Sequence, residues 1–123
     1  MKRRVHRGER IADLIQQSLA ESLLKRMGDS RFQLVTVTGV TLSKDLSYAK
    51  VFISVLAADD EVKPIVQALN HAAKLLRHYL AQDVDLRIVP ELRFAYDESV
   101  ARGSRISSLI NHALAQHKPT SDE

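Results

Sequence analysis

Tyr48-Ala49-Lys50-Val51-Phe52-Ile53-Ser54-Val55, the run from Asp59 to Asp83, and Leu86-Arg87-Ile88-Val89-Pro90-Glu91-Leu92-Arg93-Phe94-Ala95-Tyr96 together decide the fold. The first piece alternates, with Ala49, Val51, Ile53 and Val55 on one side and Tyr48, Lys50, Phe52 and Ser54 on the other, as a strand with one buried face does. In the middle piece Val62, Ile65, Val66, Leu69, Ala72, Ala73, Leu76, Tyr79 and Leu80 recur by threes and fours, which predicts one amphipathic helix. Asp59 and Asp60 are placed to cap it, and Pro64 falls in its first turn. The last piece alternates again and predicts a third strand. Pro90 cannot donate to a ladder, so that strand belongs at a sheet edge or carries a bulge. Two strands joined through a helix are parallel, and the crossover is right-handed.

Upstream, the Val- and Thr-rich run from Leu34 to Leu42 and the polar Ser43-Lys44-Asp45-Leu46-Ser47 predict an antiparallel hairpin. The strand at 48–55 is then the middle one of three. Ile11, Leu14, Ile15, Leu19, Leu23, Leu24 and Met27 predict a helix over 8–27, with Gly28 closing it. Downstream, Ile106, Leu109, Ile110, Ala113 and Leu114 predict a last helix, capped by Ser104. The expected fold is α+β in two layers, a three-stranded mixed sheet with helices on one face. One domain spans 1–116, with a flexible basic arm at 1–7 and a disordered tail at 117–123.

The composition narrows function by exclusion. The 123 residues contain no cysteine, which removes disulfide scaffolds, thiol catalysis and cysteine-ligated metals. No apolar run approaches a membrane span, and the basic N-terminus leads into Glu9, Asp13 and Gln16 rather than an apolar signal core. The expected location is therefore the cytoplasm. Gly8, Gly28, Gly39 and Gly103 are too scattered for a phosphate-binding loop. His71 and His78, and His112 and His117, miss the spacing of a helical zinc pair and read as surface histidines. The adjacent carboxylates Asp59-Asp60 and Asp97-Glu98 read as caps and turns. No catalytic residues, metal, cofactor or small-molecule substrate are expected.

What remains is charge. Lys2, Arg3, Arg4, Arg7 and Arg10 against Glu9 leave the first ten residues at +4 and the other 113 at −1, of a total of +3. The polar side of the second helix carries Lys63, Lys74, Arg77, His71 and His78, with no acid between Glu61 and Asp83. Arg87 and Arg93 fall on one face of the third strand. A solvated helix face normally mixes signs, whereas a single sign over such a length fits a polyanion. Roughly six to eight phosphate contacts would make binding strongly salt-dependent. With three Tyr and three Phe, recognition by shape and backbone is favoured over base readout. A protein-interaction adaptor, whose arm serves solubility, fits the same composition. So does a general RNA-binding module, and a nuclease would need a catalytic cluster that the chain does not display.

Arg7-Gly8-Glu9-Arg10-Ile11-Ala12, Asp45-Leu46-Ser47-Tyr48-Ala49-Lys50-Val51, Leu75-Leu76-Arg77, Leu86 to Ser99 and Gly103-Ser104-Arg105-Ile106 resemble bacterial ribosome-binding factor A over residues 3–115. The resemblance implies a type II KH-like fold of order α-β-β-α(kink)α-β-α. It also implies a helix–kink–helix, at an Ala-x-Gly, in place of the Gly-x-x-Gly loop. The matching residues are Ala72, Ala73 and Lys74; without the glycine a weaker kink is expected. The implied activity is non-enzymatic: binding of the free small (30S) subunit, late maturation and processing of 16S rRNA, and adaptation to cold. Assembly GTPases are implied partners, and a monomer is expected. The RNA contacts expected are Arg3, Arg4, Arg7, Arg10, Lys63, Lys74, Arg77, His78, Arg87 and Arg93.

Overall fold

The computed structural model describes residues 8–99; the arm at 1–7, the expected helix with its Ser104 cap, and the tail at 117–123 lie outside the described residues. Within them the order is α1 (Gly8–Lys25), a 3-10 turn (Ser30–Leu34), β1 (Val35–Leu42), β2 (Tyr48–Val55), α2 (Asp59–His71), α3 (Ala73–Asp83) and β3 (Glu91–Tyr96). The sheet order is β1-β2-β3, with β1 antiparallel and β3 parallel to the central β2. The three helices pack on one face over one core, in which Ile15, Leu19, Val51, Ile53, Leu69, Leu76 and Leu80 are almost wholly buried. Burying such side chains is the main stabilising term, each contributing roughly 1.5–3 kcal/mol.

β1 reads Val35-Thr36-Val37-Thr38-Gly39-Val40-Thr41-Leu42, and its apolar residues change parity after Val37. A register shift between Val37 and Gly39 answers this: Val37 pairs Ile53, and Val40 then pairs Val51, so both face the core. The extra residue of the bulge is Thr38. Its hydroxyl donates to Asp97 Oδ2 at 2.7 Å, tying β1 to the end of β3 across β2. In the hairpin turn Asp45 Oδ1 accepts from Ser43 Oγ, Ser47 Oγ and the Ser47 amide. These bonds, the Ser47 hydroxyl's foremost, hold the Asp45 carboxyl down at about 2. They also fix a turn in which Leu46 adopts φ 64, a conformation a branched side chain enters only at some cost.

Four boundaries differ from the sequence expectation. First, α1 ends at Lys25, and among the described residues no glycine has positive φ, so Gly28 is not a left-handed helix terminator. Instead Asp29 accepts from the Arg31 amide at 3.0 Å and starts a 3-10 turn that buries Phe32. Second, the N-cap of α2 is Ala58, whose amide donates to Glu61 Oε1 at 3.1 Å; Asp59 and Asp60 lie inside the first turn, where their charge complements the helix dipole. Pro64 is the sixth helical residue, one turn deeper than expected.

The third difference is the kink. The long helix does break without a glycine: Ala72 ends α2 at φ −88, ψ 2, and its amide is shared between the Ala68 and Leu69 carbonyls. A negative φ is open to any residue, so the backbone does not require Gly here. Lys74, at the glycine position of the resemblance, lies in the first turn of α3 and is exposed.

Fourth, β3 begins at Glu91, after Pro90 rather than through it. The Glu91 amide makes the first ladder bond, to Ser47 O at 2.9 Å, while Pro90 is buried just ahead. β3 is an edge strand, as the proline suggested. Its outer side is partly occupied: Asn70 Oδ1 accepts from the Phe94 amide at 2.8 Å and Nδ2 donates to the Phe94 carbonyl at 3.1 Å. On the opposite edge, Gln16 Nε2 donates to Val37 O at 2.9 Å. Such side-chain amides block pairing with a foreign strand. Asn70→Ala is expected to cost about 1 kcal/mol, because water at this exposed edge replaces the two bonds in part. Urea unfolding with an unchanged slope measures it, and wild-type stability would show the clamp to be incidental.

Candidate nucleic-acid interface

Lys63 of α2 and Lys74, Arg77 and His78 of α3 are all exposed, the last three spaced to share one side of their helix. On both sides of the break at Ala72 these four point away from the core, to which Ile65, Leu69, Leu76 and Leu80 turn. Among the described residues none of these four forms an ion pair; the three salt bridges are Lys25–Glu21, Arg26–Asp83 and Arg31–Asp29. This stripe borders the β3 edge, where Asn70 of α2 clamps Phe94.

Arg77 has a structural duty that no sequence pattern signals. Its Nε and Nη2 donate to the Val89 carbonyl at 3.1 and 2.7 Å, pinning the segment before β3 against α3. Arg77 is exposed nonetheless and keeps further donors for a ligand. His78 Nε2 is 3.3 Å from Gln82 Nε2, one turn on.

The remaining expected contacts disperse. Arg87 sits in the bend before β3, not in the strand, so it shares no strand face with Arg93. Arg93 lies on the sheet face turned away from the helices, opposite buried Leu92 and Phe94. Arg10 is exposed in the first turn of α1, two turns before the Ser18 contact with α3. Arg3, Arg4 and Arg7 lie outside the described residues. The structure thus leaves four of the ten exposed on α2 and α3 and places Arg87 on the loop that Arg77 holds. Among the described residues no cluster of His, Asp or Glu is arranged to hold a metal, and no helix is long and apolar enough to cross a membrane.

α3 is fastened by a second polar group that the periodicity had hidden. Arg26 grips Asp83 with two bonds, 2.8 and 3.0 Å, and Ser18 Oγ donates to the same carboxylate at 2.8 Å. The Arg26 guanidinium also lies over the Tyr79 ring, 5.2 Å from its centre. Ser18 and Ser22 are buried in the α1 interface, where Leu24, expected in the apolar stripe, is mostly exposed.

An α+β sheet of this order, crossed by a broken helix with a basic outer side, defines a KH-like domain. The comparisons with known proteins go further. The ribosome-binding factor A family profile matches residues 7–110. Proteins of that name from Coxiella burnetii strain Dugway and Pseudomonas putida strain W619 are 51% and 43% identical, over 95% and 100% of this chain and 96% and 97% of theirs. The crystal structure of ribosome-binding factor A from Thermus thermophilus superposes with a TM-score of 0.64 at 28% identity, covering 74% of this chain and 97% of that one. A homology model of the same factor, fitted into a cryo-EM map of a 30S–RbfA complex, gives 0.61 at 28% identity, covering 74% and 96%. The chain belongs to the ribosome-binding factor A family.

Proposed function

We propose that this protein is a non-catalytic assembly factor that binds the free small (30S) ribosomal subunit and promotes late maturation and processing of its 16S rRNA, including in the cold. The observation that carries this is family membership along nearly the whole chain, joined to a structural neighbour placed in a 30S complex. The contacts are the arm residues Arg3, Arg4 and Arg7 with Arg10, the stripe of Lys63, Lys74, Arg77 and His78, and Arg87 and Arg93. The mechanism is differential affinity. A protein that binds an immature rRNA conformation better than the mature one shifts the population toward a foldable state without covalent chemistry. An assembly GTPase that favours the mature conformation would then drive release. The protein acts as a monomer in the cytoplasm.

Co-sedimentation with separated small subunits, large subunits and whole ribosomes tests this. Selective co-migration with free small subunits is expected, and equal binding to all three, lost together as salt rises, would reduce the protein to a general cation. About six phosphate contacts predict roughly a thousandfold loss of affinity between about 50 and 200 mM salt. Lys74→Glu with Arg87→Glu is expected to weaken binding at least tenfold and flatten that dependence. Arg77 is the poorer probe, because replacing it also frees the Val89 loop. Unchanged binding by the double variant would favour an adaptor that docks through protein.

A further inference from the structure

The sheet face away from the helices carries a second, independent arrangement. Lys50 and Arg93 are directly opposite in the parallel β2–β3 register, on the side where the core residues Ala49, Val51, Leu92 and Phe94 do not point. Like charges directly opposite each other destabilise a sheet, and among the described residues neither has an acidic partner within ion-pair distance. The Lys50 ammonium is held over the Phe52 ring, 5.2 Å from its centre, so its position is set before any ligand arrives. Two residues from Lys50 on the same side, Tyr48 is 59% exposed, an open ring beside a paired cation. Glu91, opposite Tyr48, is the one acid on the three strands and confines an anion to the Lys50–Arg93 end. Thr36, Thr41 and Ser54 complete the face with neutral polar groups.

We propose that this open sheet face is a second RNA contact, distinct from the helical stripe, taking an unpaired nucleotide with its phosphate between Lys50 and Arg93 and its base stacked on Tyr48. A phosphate there relieves the repulsion that the free protein carries, and an aromatic next to a phosphate grip is how sequence-tolerant single-strand binders work. Because β3 is the edge strand, Arg93 lies around that edge from Asn70 and Arg77. The factor can therefore hold a helical rRNA segment on one side and a displaced strand on the other. That RNA is the ligand rests on the reading in the preceding subsection.

Anisotropy of a labelled, unstructured RNA of about ten nucleotides, titrated with the full chain, tests it. Lys50→Gln with Arg93→Gln is expected to lower affinity about tenfold and to reduce the salt slope by about 0.7, as the loss of one single-strand phosphate contact does. Tyr48→Ala is expected to lower affinity about tenfold with the slope unchanged, which a purely electrostatic face would not produce. Lys25→Gln, at an exposed cation of α1 that neither surface uses, is expected to leave this oligonucleotide's affinity within about twofold. The Lys50/Arg93 variant is expected to melt no lower than wild type, so lost binding is not lost folding. Wild-type affinity in that variant, or an equal loss in the Lys25 variant, overturns the proposal. Co-sedimentation of wild type with free small subunits is scored separately: its failure overturns the assembly-factor reading, whatever the oligonucleotide shows.

Discussion

Leu76→Ala is expected to destabilise the protein by about 3–4 kcal/mol, a larger effect than any other substitution predicted for this chain. Leu76 is completely buried in the first turns of α3, four residues after the break, and its amide donates to the Ala72 carbonyl at 3.0 Å. It shares the core with Leu69 of α2, Leu80 of α3 and residues of α1 and the sheet. Removing three carbons there loses their transfer energy and leaves a cavity that surrounding rigid elements cannot close. Leu75→Ala is the control: that side chain is 45% exposed and its loss is expected to cost well under about 1 kcal/mol. Denaturant unfolding of the two variants measures the contrast. Equal costs would mean that α3 is turned about its axis, and with it the placement of Lys74, Arg77 and His78.

That contrast also shows why the break at Ala72 was invisible as an apolar pattern. Ile65, Leu69, Leu76 and Leu80 fall on one side of an uninterrupted helix as well as on the inward side of α2 and α3, so periodicity reports one element where there are two. Only the family resemblance points to 72–74, where the helix breaks at Ala72 without a glycine. Strand order, the hairpin and the parallel crossover were legible because alternation and turn chemistry are local signals. The bulge was legible in principle, in the parity change between Val37 and Val40, but it becomes visible only once β2 supplies a register.

The basic residues were legible as a list and not as a surface. Sequence alternation extended β3 back through Pro90 to Leu86, which put Arg87 beside Arg93; the ladder starting at Glu91 separates them. Lys50 stands in the sequence only as one polar residue of an alternating strand, because its significance is its partner across the strands, 43 positions away in the chain. The sequence marks Arg77 as an RNA contact and does not single out Asn70, yet both bond backbone groups of the segment around β3. Contacts from side chain to distant backbone leave no periodic trace.

Asp83→Ala carries the second large effect, expected at about 2 kcal/mol, or about 8 °C in Tm for a chain of this size. The variant removes the acceptor of both Arg26 bonds and of the Ser18 hydroxyl, and Ser18 is only 6% exposed. A fully buried pair would cost more; here the Arg26 and Asp83 side chains are 30% and 22% exposed, so water compensates in part. Arg26→Ala is expected to cost a similar amount, since it also loses the Tyr79 contact. The double variant should cost less than the sum of the two, as partners in one network do. The pH dependence gives an independent check. The Arg26 hydrogen bonds, helped by Ser18, hold the Asp83 carboxyl below its ordinary range against the opposing effect of burial. A carboxyl whose pKa is lower folded than unfolded adds stability above the unfolded value, near 3.9, and loses it as pH falls through the folded value. The gap between wild type and Asp83→Ala is therefore expected to be constant from neutral pH down to about 5 and to shrink below about 4. Arg26 stays protonated throughout, its pKa raised first by the Asp83 hydrogen bond, so it adds no second transition. A gap that persists undiminished to about pH 3 would show that Asp83 stabilises the α1–α3 junction by packing, and that its charge is incidental to holding the basic side of α3 in place.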